Sequence, residues 1–263
     1  MRRLALHNPF NAPVYHEDTV DSTMEVSRIL AGRGEPHGTV ITADFQQAGR
    51  GRIKGRSWDM EKGSNLAFTI LLRFPGIENI PQALTLRVGL ALSLAIEDFA
   101  PVLAGRVLIK WPNDILIAGS ARKLAGILAE ADGGIVHVGM GLNVAQKQFP
   151  DFLRNKATSI SLAIDAASGG EITTEERFPL LETILVRLYN EIEMANGSWE
   201  SRIESRLYKK GEQISFAAGA ADSGNIVSGV LTGIGPGGEL LITPSGGGEP
   251  RSFTAGELVL GYT

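Results

Sequence analysis

The chain has 263 residues, of which 43% are hydrophobic and 21% charged, and its formal net charge is −4. These values are typical of a globular protein and argue against one that coats nucleic acid, which usually carries a basic bias. The absence of cysteine excludes disulfides, thiolate zinc sites and cysteine nucleophiles, and it fits a reducing cytoplasm.

The N-terminal part predicts one short helix followed by two strands. Residues 21–34 predict the helix, because Ser22 and Glu25 have the spacing of a capping box ahead of an apolar face. Residues 38–46 and 65–74 are rich in branched and apolar side chains, which predicts two strands on either side of a basic, glycine-rich loop.

The middle of the chain predicts a buried helix and then a further strand. Residues 82–99 contain the most apolar window, 84–96, which is interrupted by Arg87 and is shorter than a membrane span. We therefore expect a core helix and no membrane partner. Residues 106–111 predict a strand that ends before Pro112.

The second half predicts a hairpin, a helix and a small all-β region. Residues 123–130 and 135–144 predict paired strands joined by an Asp-Gly-Gly turn, and residues 176–195 predict an amphipathic helix. Residues 211–263 hold 13 of the 32 glycines among short β-prone runs, which is typical of a small barrel. We place the domain boundary within 196–211, which gives domains of 1–205 and 206–263.

The stretch GRGRIKGRSW, residues 49–58, concentrates positive charge in an acidic chain. Glycines let a backbone approach a ligand closely, and arginine side chains grip phosphate or carboxylate groups. A solvated turn between strands is the alternative, and Trp58 weakens it because a large aromatic ring can dock the loop or stack on a ligand. The four cations of this loop are Arg50, Arg52, Lys54 and Arg56.

Two further motifs place polar groups at strand ends. In IKWPNDI, residues 109–115, a strand delivers Lys110 followed by Asn113 and Asp114, which suits a nucleotide bound with magnesium, although a plain turn is the alternative. In RKLAGIL, residues 122–128, a lysine opens a strand with an interior glycine, which indicates close approach of another group. The alternative for that lysine is a solvated charge.

Two weaker motifs complete the set. In DST, residues 21–23, the serine suits a helix N-cap, and a helix N-terminus can also present free N–H groups to a ligand. GMGLNV, residues 139–144, is a weaker candidate for ligand contacts. The alternative for its alternating glycines is close packing, and the alternative for Asn143 is a turn.

Together and in this order, DST, QQAGRGR, a tryptophan, KWPND, RKLAGIL and G-x-G-x-N resemble the catalytic domain of the biotin protein ligases over about residues 15–145. The resemblance implies an α+β fold, a mixed β-sheet flanked by helices like that of class II aminoacyl-tRNA synthetases, with a small SH3-like β-barrel C-terminal domain. It implies a ligase that uses ATP, biotin and Mg²⁺ to form biotinyl-5′-adenylate. The biotin then passes to a lysine of a biotin carboxyl carrier protein domain.

The same resemblance implies roles for individual residues, with Lys123 and Arg52 as the catalytic groups. The implied biotin contacts are Ser22, Thr23, Gln46, Gly49, Arg50, Gly51, Arg52, Lys123 and Gly126. The implied ATP and adenylate contacts are Arg50, Arg52, Arg56, Trp58, Lys110, Asn113, Asp114, Lys123, Gly141 and Asn143. Asp114 is the implied magnesium ligand.

The chain departs from the family pattern in two places. Met24 stands where the family usually has asparagine after DST, and the basic loop is one residue longer than usual, which shifts the spacing of Arg56 and Trp58. Only 20 residues precede Asp21, so we expect no DNA-binding helix-turn-helix, no repressor function and no nucleic-acid partner. A cytoplasmic location is expected, and the resemblance allows a homodimer.

Two other functions are alternatives to this interpretation. An acyl-adenylate ligase for lipoate or octanoate has a related fold, but RKLAGIL favours biotin. A nucleic-acid-binding module would use the Arg-Gly loop and the small barrel to contact phosphates, but the net charge of −4 and an aromatic content of 6% argue against it.

Overall fold

The structure is a computed structural model, and it describes residues 1–53, 55, 57–194, 198–219 and 225–259. Its centre is an eight-stranded mixed sheet with the order β1-β2-β3-β4-β8-β7-β6-β5. The strands β2 and β3 run parallel, and the other neighbours in this sheet are antiparallel. The eight strands are Arg2–Leu4 (β1), Val14–Glu17 (β2), Thr39–Ala43 (β3), Leu66–Arg73 (β4), Val107–Lys110 (β5), Asp114–Ile117 (β6), Lys123–Asp132 (β7) and Ile135–Leu142 (β8).

A second, five-stranded antiparallel sheet follows near the C-terminus, with the order β12-β11-β10-β9-β13. It packs on the first sheet, since Trp111 lies after β5 and its ring centroid is 5.7 Å from that of Phe216. The strands are Gln213–Ala218 (β9), Ile226–Ile234 (β10), Leu240–Pro244 (β11), Arg251–Phe253 (β12) and Gly256–Leu258 (β13).

Five α-helices flank the sheets in the described part of the chain. The second of them has ten buried residues and packs on β5, β6 and β7, so it forms the centre of the hydrophobic core. The fourth is amphipathic, as its apolar spacing predicts, and packs against the second. The helices are Thr23–Gly32 (α1), Leu84–Phe99 (α2), Ile160–Ser168 (α3), Arg177–Tyr189 (α4) and Trp199–Glu204 (α5).

The two faces of the large sheet have different surroundings because successive side chains of a strand point to opposite faces. On one face, Ile127 of β7 lies under α2, where a Cβ built on Gly89 would be 3.6 Å from its Cδ1. On the other face, Met24 of α1 lies against Gly139 of β8. This second face carries the glycines of the predicted motifs and is the face on which the candidate site lies.

The structure confirms the predicted helices and the β7–β8 hairpin and corrects some details. The capping box is wrong: Ser22 does cap α1 by accepting from the Met24 N–H, but Glu25 pairs with arginine side chains instead of the helix N-terminus. The sequence analysis also missed the strands β1, β2, β6 and β12 and the helices α3 and α5. A second sheet is present, whereas a closed SH3-like barrel and the division into 1–205 and 206–263 stay predictions.

The apolar stretch Ile77–Phe99 is long and apolar enough to cross a membrane by length and composition, contrary to our estimate from the window 84–96. In the fold, 56% of its most apolar 18-residue segment is buried. It thus has the surroundings of a core helix in the part of the chain that the structure describes.

Stability at mildly acidic pH should depend on His137, which is 5% exposed and lies 2.8 Å from the Ser27 hydroxyl. Burial lowers the pKa of His137 below its usual 6.5, and the Arg28 guanidinium lowers it further. Just below pH 6.5 the unfolded state therefore binds more protons at this histidine than the folded state does. The neutral, buried His137 thus makes its full contribution to the free energy of unfolding above that pH, and this contribution is lost as the pH falls. We expect the free energy of unfolding in urea to fall less between pH 7.5 and pH 5.5 in His137→Gln than in the unmodified chain.

The exposed His7 provides the control, since His7→Gln should keep the full pH dependence. An equal fall in the unmodified chain and in His137→Gln would contradict the assignment.

Candidate functional site

The site begins where two chain segments are fixed side by side at the N-terminus of α1. The Val20 N–H donates to the Phe45 carbonyl at 3.1 Å, and the Ala48 N–H donates to the Asp21 carbonyl at 2.8 Å. These backbone bonds place the DST motif, residues 21–23, next to the QQA motif, residues 46–48. Two motifs that are 25 residues apart in the sequence thus form one wall.

A buried hydrogen-bond network fixes the polar end of this wall. The Thr69 hydroxyl of β4 donates to Thr23 Oγ1 at 2.8 Å, and Thr23 Oγ1 donates to Gln46 Oε1 at 3.0 Å. The Thr23 N–H also donates to Gln46 Oε1, at 2.8 Å. Because Oε1 accepts both bonds, the Gln46 amide nitrogen is oriented as the group that can donate to a ligand.

The floor of the site is a strip of sheet without side chains. Gly126 of β7 and Gly141 of β8 are direct neighbours in the antiparallel register, and Gly139 lies on the same face two residues from Gly141. Interior glycines in strands commonly mark close approach of another group to the backbone. This strip leaves room for a flat group to lie directly on the sheet.

In this structure the Trp58 indole lies on that floor. A Cβ built on Gly141 would be 2.5 Å from Trp58 Cε2, and one built on Gly126 would be 3.5 Å from Trp58 Cζ3. The base of the basic loop is closed by the Trp58 N–H, which donates to the Gly49 carbonyl at 3.0 Å. The indole Nε1 is buried and has no hydrogen-bond partner, so the ring is seated by shape and not by a polar anchor.

The KWPND motif forms the tight connection between β5 and β6. The Trp111–Pro112 peptide bond is cis, and the Asn113 side-chain amide donates to the Ile127 carbonyl at 2.8 Å. This bond ties the turn to β7. It brings Asp114, the first residue of β6, into the register position opposite Gly126.

The Lys123 ammonium and the Asp114 carboxylate form a close ion pair inside the site. Lys123 Nζ is 2.6 Å from Asp114 Oδ1, and it lies 5.8 Å from the centroid of the Trp58 ring. The Lys123 side chain is 34% exposed, so its charge remains available to a ligand in the cavity. Lys110, whose side chain is only 5% exposed, adds a second ammonium 3.9 Å from Asp114 Oδ2.

The cavity has two compartments that share the Lys123 and Trp58 side chains. The inner compartment lies over the glycine floor beside α1 and has a volume of about 70 Å³. The outer compartment has a volume of about 430 Å³ and is bounded by the KWPND turn and by segment 149–157. Lys123 therefore stands at the junction of the two compartments.

The two arginines of the basic loop that the structure describes, Arg50 and Arg52, point in different directions. Arg50 pairs with Glu25 of α1 at 2.5 Å, where hydrogen bonding by Arg28 and the charge of Arg50 lower the pKa of the Glu25 carboxyl. Arg52 instead donates to the Gly256 carbonyl of β13 at 3.0 Å. The loop is thus attached to α1 on one side and to the second sheet on the other.

The structure brings most of the predicted site residues to this cavity. Gly49 lies at the base of the loop, Arg50 lies at the rim, and Asn143 is reached through the outer compartment. Lys54 and Arg56 lie outside the described residues. The other predicted residues that line one or both compartments are Ser22, Thr23, Gln46, Gly51, Arg52, Trp58, Lys110, Asn113, Asp114, Lys123, Gly126 and Gly141.

Sequence reasoning missed several residues of the site. Thr69 supports Thr23 from the middle of the mostly apolar strand β4, and no local pattern distinguishes it from a core threonine. Glu257 reaches the outer compartment from the second sheet, a contact between residues far apart in sequence. The other residues that line the outer compartment outside the predicted motifs are Asp59, Phe149, Leu153, Lys156 and Ala157.

A separate cluster of His16, Asp18 and Asp44 places its potential ligand atoms within 4.8 Å of one another. Asp44 accepts from Arg177 at 3.0 Å, and Arg2 donates to His16 Nδ1 at 3.3 Å. Burial would raise the pKa of Asp44, but hydrogen bonds from His16 and Arg177 lower it overall. The two arginines supply the positive charge that a cation would bring, so we interpret the cluster as a structural ion pair.

Comparison with known proteins places these features in a family. Residues 18–144 match the model of the Biotin/lipoate A/B protein ligase family. The chain is 34% identical over 200 residues to the Biotin–[acetyl-CoA-carboxylase] ligase of Paracoccus denitrificans. That alignment covers 72% of this chain and 79% of the Paracoccus protein. It is 40% identical over 159 residues to the Bifunctional ligase/repressor BirA of Bacillus subtilis (strain 168), covering 57% of this chain and 46% of that protein.

The chain thus spans about half the length of the Bacillus relatives that it matches. Among solved structures, it is similar to the Biotin protein ligase from Aquifex aeolicus in complex with biotin and ATP, with a TM-score of 0.73 and 27% sequence identity. That similarity covers 95% of this chain and 99% of the Aquifex chain, so it extends over both sheets.

The seating of Trp58 on the glycine floor can be tested with Gly141→Ala. The added methyl group would lie 2.5 Å from the indole, so the ring must leave the floor and become more exposed to solvent. We expect a red shift of the tryptophan emission and stronger quenching by acrylamide. The matched control is Gly246→Ala, where an added Cβ meets nothing within 4 Å. Unchanged emission and quenching in Gly141→Ala would contradict this position of Trp58.

Proposed function

We propose the following activity for this chain, which belongs to the Biotin/lipoate A/B protein ligase family: it activates biotin with ATP as biotinyl-5′-adenylate and transfers the biotin to a lysine of a biotin carboxyl carrier protein domain. The observation that carries the proposal is the position of Lys123, at the junction between an inner compartment with a side-chain-free floor and a larger outer compartment. The inner compartment takes biotin, and the outer compartment takes ATP.

The first step brings two anions together. A carboxylate oxygen of biotin attacks the α-phosphorus of ATP, an O–P bond forms, and the bond to the β-phosphate oxygen breaks with release of pyrophosphate. The Lys123 ammonium and the Arg52 guanidinium offset the repulsion between carboxylate and phosphate and the charge that grows on the phosphoryl oxygens. Both side chains line both compartments, so they can contact both substrates.

The second step consumes biotinyl-5′-adenylate, which is a mixed anhydride of a carboxylic acid and a phosphate. A neutral lysine amine of the carrier protein attacks the acyl carbon, an amide bond forms, AMP leaves with the bridging oxygen, and the amine loses its proton. Positioning supplies most of the rate enhancement in such a reaction. The basic loop shields the adenylate from water, which would otherwise hydrolyse it.

The polar end of the inner compartment favours biotin over lipoate. The ureido group of biotin both donates and accepts hydrogen bonds, and Ser22, Thr23 and Gln46 supply partners of both kinds there. The dithiolane ring of lipoate makes no such bonds and would leave these polar groups unpaired. A site built to hydrogen-bond its substrate discriminates strongly against an analogue without those groups.

A buried amide and an aromatic ring support a purine in the outer compartment. Asn143 is 3% exposed and donates its amide to the Thr158 carbonyl at 2.9 Å, while its Oδ1 is buried without a partner. That oxygen is suited to accept from the exocyclic amine of adenine. Trp58, once displaced from the glycine floor, offers an aromatic face for stacking.

Magnesium would bind next to the triphosphate in this proposal. Magnesium binds through one or two carboxylates together with substrate phosphates, and the hard oxygens of Asp114 line the outer compartment, which fits that requirement. When bound, the ion would neutralise phosphate charge. Asp114 also holds Lys123 beside the reacting groups.

The proposal has several wider parts. The similarity to the ligase of Paracoccus denitrificans supports a carboxylase carrier domain as the protein partner. We propose that the second sheet is an SH3-like C-terminal domain, that the domains divide at 205/206, and that the protein acts in the cytoplasm without a nucleic-acid or membrane partner. A homodimer is compatible with this proposal.

Exchange of labelled pyrophosphate into ATP tests the first step. We expect exchange that depends on biotin, and a fall of roughly 10²- to 10³-fold in Lys123→Ala, because the variant loses the cation between the reacting groups. The variant should keep its thermal midpoint, since the side chain is one-third exposed and outside the hydrophobic core. The control is Lys147→Ala, an exposed lysine that pairs with Glu171 away from the cavity.

Two outcomes would contradict the proposal. Exchange supported by lipoate and not by biotin would assign the chain to the other substrate of its family. Undiminished biotin-dependent exchange in Lys123→Ala would remove the role given to that lysine.

A further inference from the structure

The outer compartment contains a lysine that forms ion pairs with carboxylates from both sheets. The Lys110 side chain is 5% exposed, and its Nζ lies 3.9 Å from Asp114 Oδ2 and 3.6 Å from Glu257 Oε1. Burying a charge is costly unless it has partners of opposite charge. Asp114 belongs to the same β5–β6 hairpin as Lys110, whereas Glu257 belongs to β13 of the second sheet.

The second sheet is fixed against this part of the site by further contacts. The Trp111 indole, next to Lys110, donates to the Gly238 carbonyl at 2.9 Å, and its ring packs edge-on against Phe216 of β9. Arg52 of the basic loop donates to the Gly256 carbonyl, which directly precedes Glu257. The strand β13 therefore contacts both Lys110 at the end of β5 and Arg52 of the basic loop.

We propose that Glu257 is a positioning residue that holds the Lys110 ammonium in place for the phosphates of ATP, so that the second sheet is part of the nucleotide site. This inference rests on the proposed function, because it assumes that the outer compartment binds ATP. The second sheet thus has a role in the reaction beyond packing.

The arrangement of charges explains why Glu257 is needed. Asp114 already pairs with Lys123 at 2.6 Å, and among the described residues it is the carboxylate besides Glu257 that forms an ion pair with Lys110. Without the electrostatic attraction of the Glu257 carboxylate, the Lys110 ammonium would move toward Asp114 and compete with Lys123 for the same carboxylate. Both lysines would then be misplaced, but the biotin wall formed by Thr23 and Gln46 would be unchanged.

The test is Glu257→Gln, which keeps the shape of the side chain and removes its charge. In biotin-dependent pyrophosphate exchange, we expect the KM for ATP to rise about tenfold and the KM for biotin to change less than about twofold. A role limited to folding would lower the amount of active enzyme without separating the two KM values. Glu249→Gln, at an exposed position in the connection between β11 and β12, is the matched control and should behave like the unmodified chain.

A double-mutant cycle with Lys110→Ala identifies the partner. If Glu257 acts through Lys110, the double variant should raise the KM for ATP no more than Lys110→Ala alone. Independent, multiplicative effects of the two substitutions would overturn the inference. So would an unchanged KM for ATP in Glu257→Gln.

A shorter carboxylate keeps the inference testable if Glu257→Gln does not fold. Glu257→Asp should then raise the KM for ATP with the KM for biotin unchanged, and no rise would overturn the inference. Failure of the proposed function would look different, because the unmodified chain would then show no biotin-dependent exchange.

Discussion

The site depends on a strip of β-sheet from which side chains are missing. Gly126 and Gly141 face each other across β7 and β8, and any side chain at Gly141 would collide with the group that lies there. The opposite face of the same strands carries Ile127 and Met140, which pack into the core under α2. The alternation of a strand thus lets one hairpin be hydrophobic core on one side and ligand floor on the other.

Positive charge is concentrated beside this floor. The chain is acidic overall, yet Arg52, Lys110 and Lys123 converge on the outer compartment. Each cation has a partner from an element other than its own: the Gly256 carbonyl for Arg52, Glu257 for Lys110 and Asp114 for Lys123. Such pairing keeps the cations in place before an anionic substrate arrives, which is the preorganisation that electrostatic catalysis requires.

Local sequence patterns predicted most of the elements that carry the site, though not β6 with Asp114, because capping, alternation and turn residues act over short distances. The β7–β8 hairpin, which contains Gly126 and Gly141, was expected from the β-prone runs 123–130 and 135–144 and the Asp-Gly-Gly turn between them. Contacts between distant segments were not accessible in this way. No local pattern shows that Thr69 supports Thr23 or that Glu257 of the second sheet reaches Lys110, because both depend on how separate elements pack. The pairing of Arg50 with Glu25, where a capping box was predicted, has the same origin.

The central claim is that the carboxylate bound over the glycine floor attacks the α-phosphate of the nucleotide beside it. Biotin labelled with ¹⁸O in both carboxylate oxygens tests this directly when the chain is incubated with ATP and with hydroxylamine in place of the carrier lysine. Mass spectrometry of the products should find one ¹⁸O atom in AMP, because the bridging oxygen stays with the phosphate when the acyl carbon is attacked. AMP without ¹⁸O, or label in the released pyrophosphate, would contradict the account.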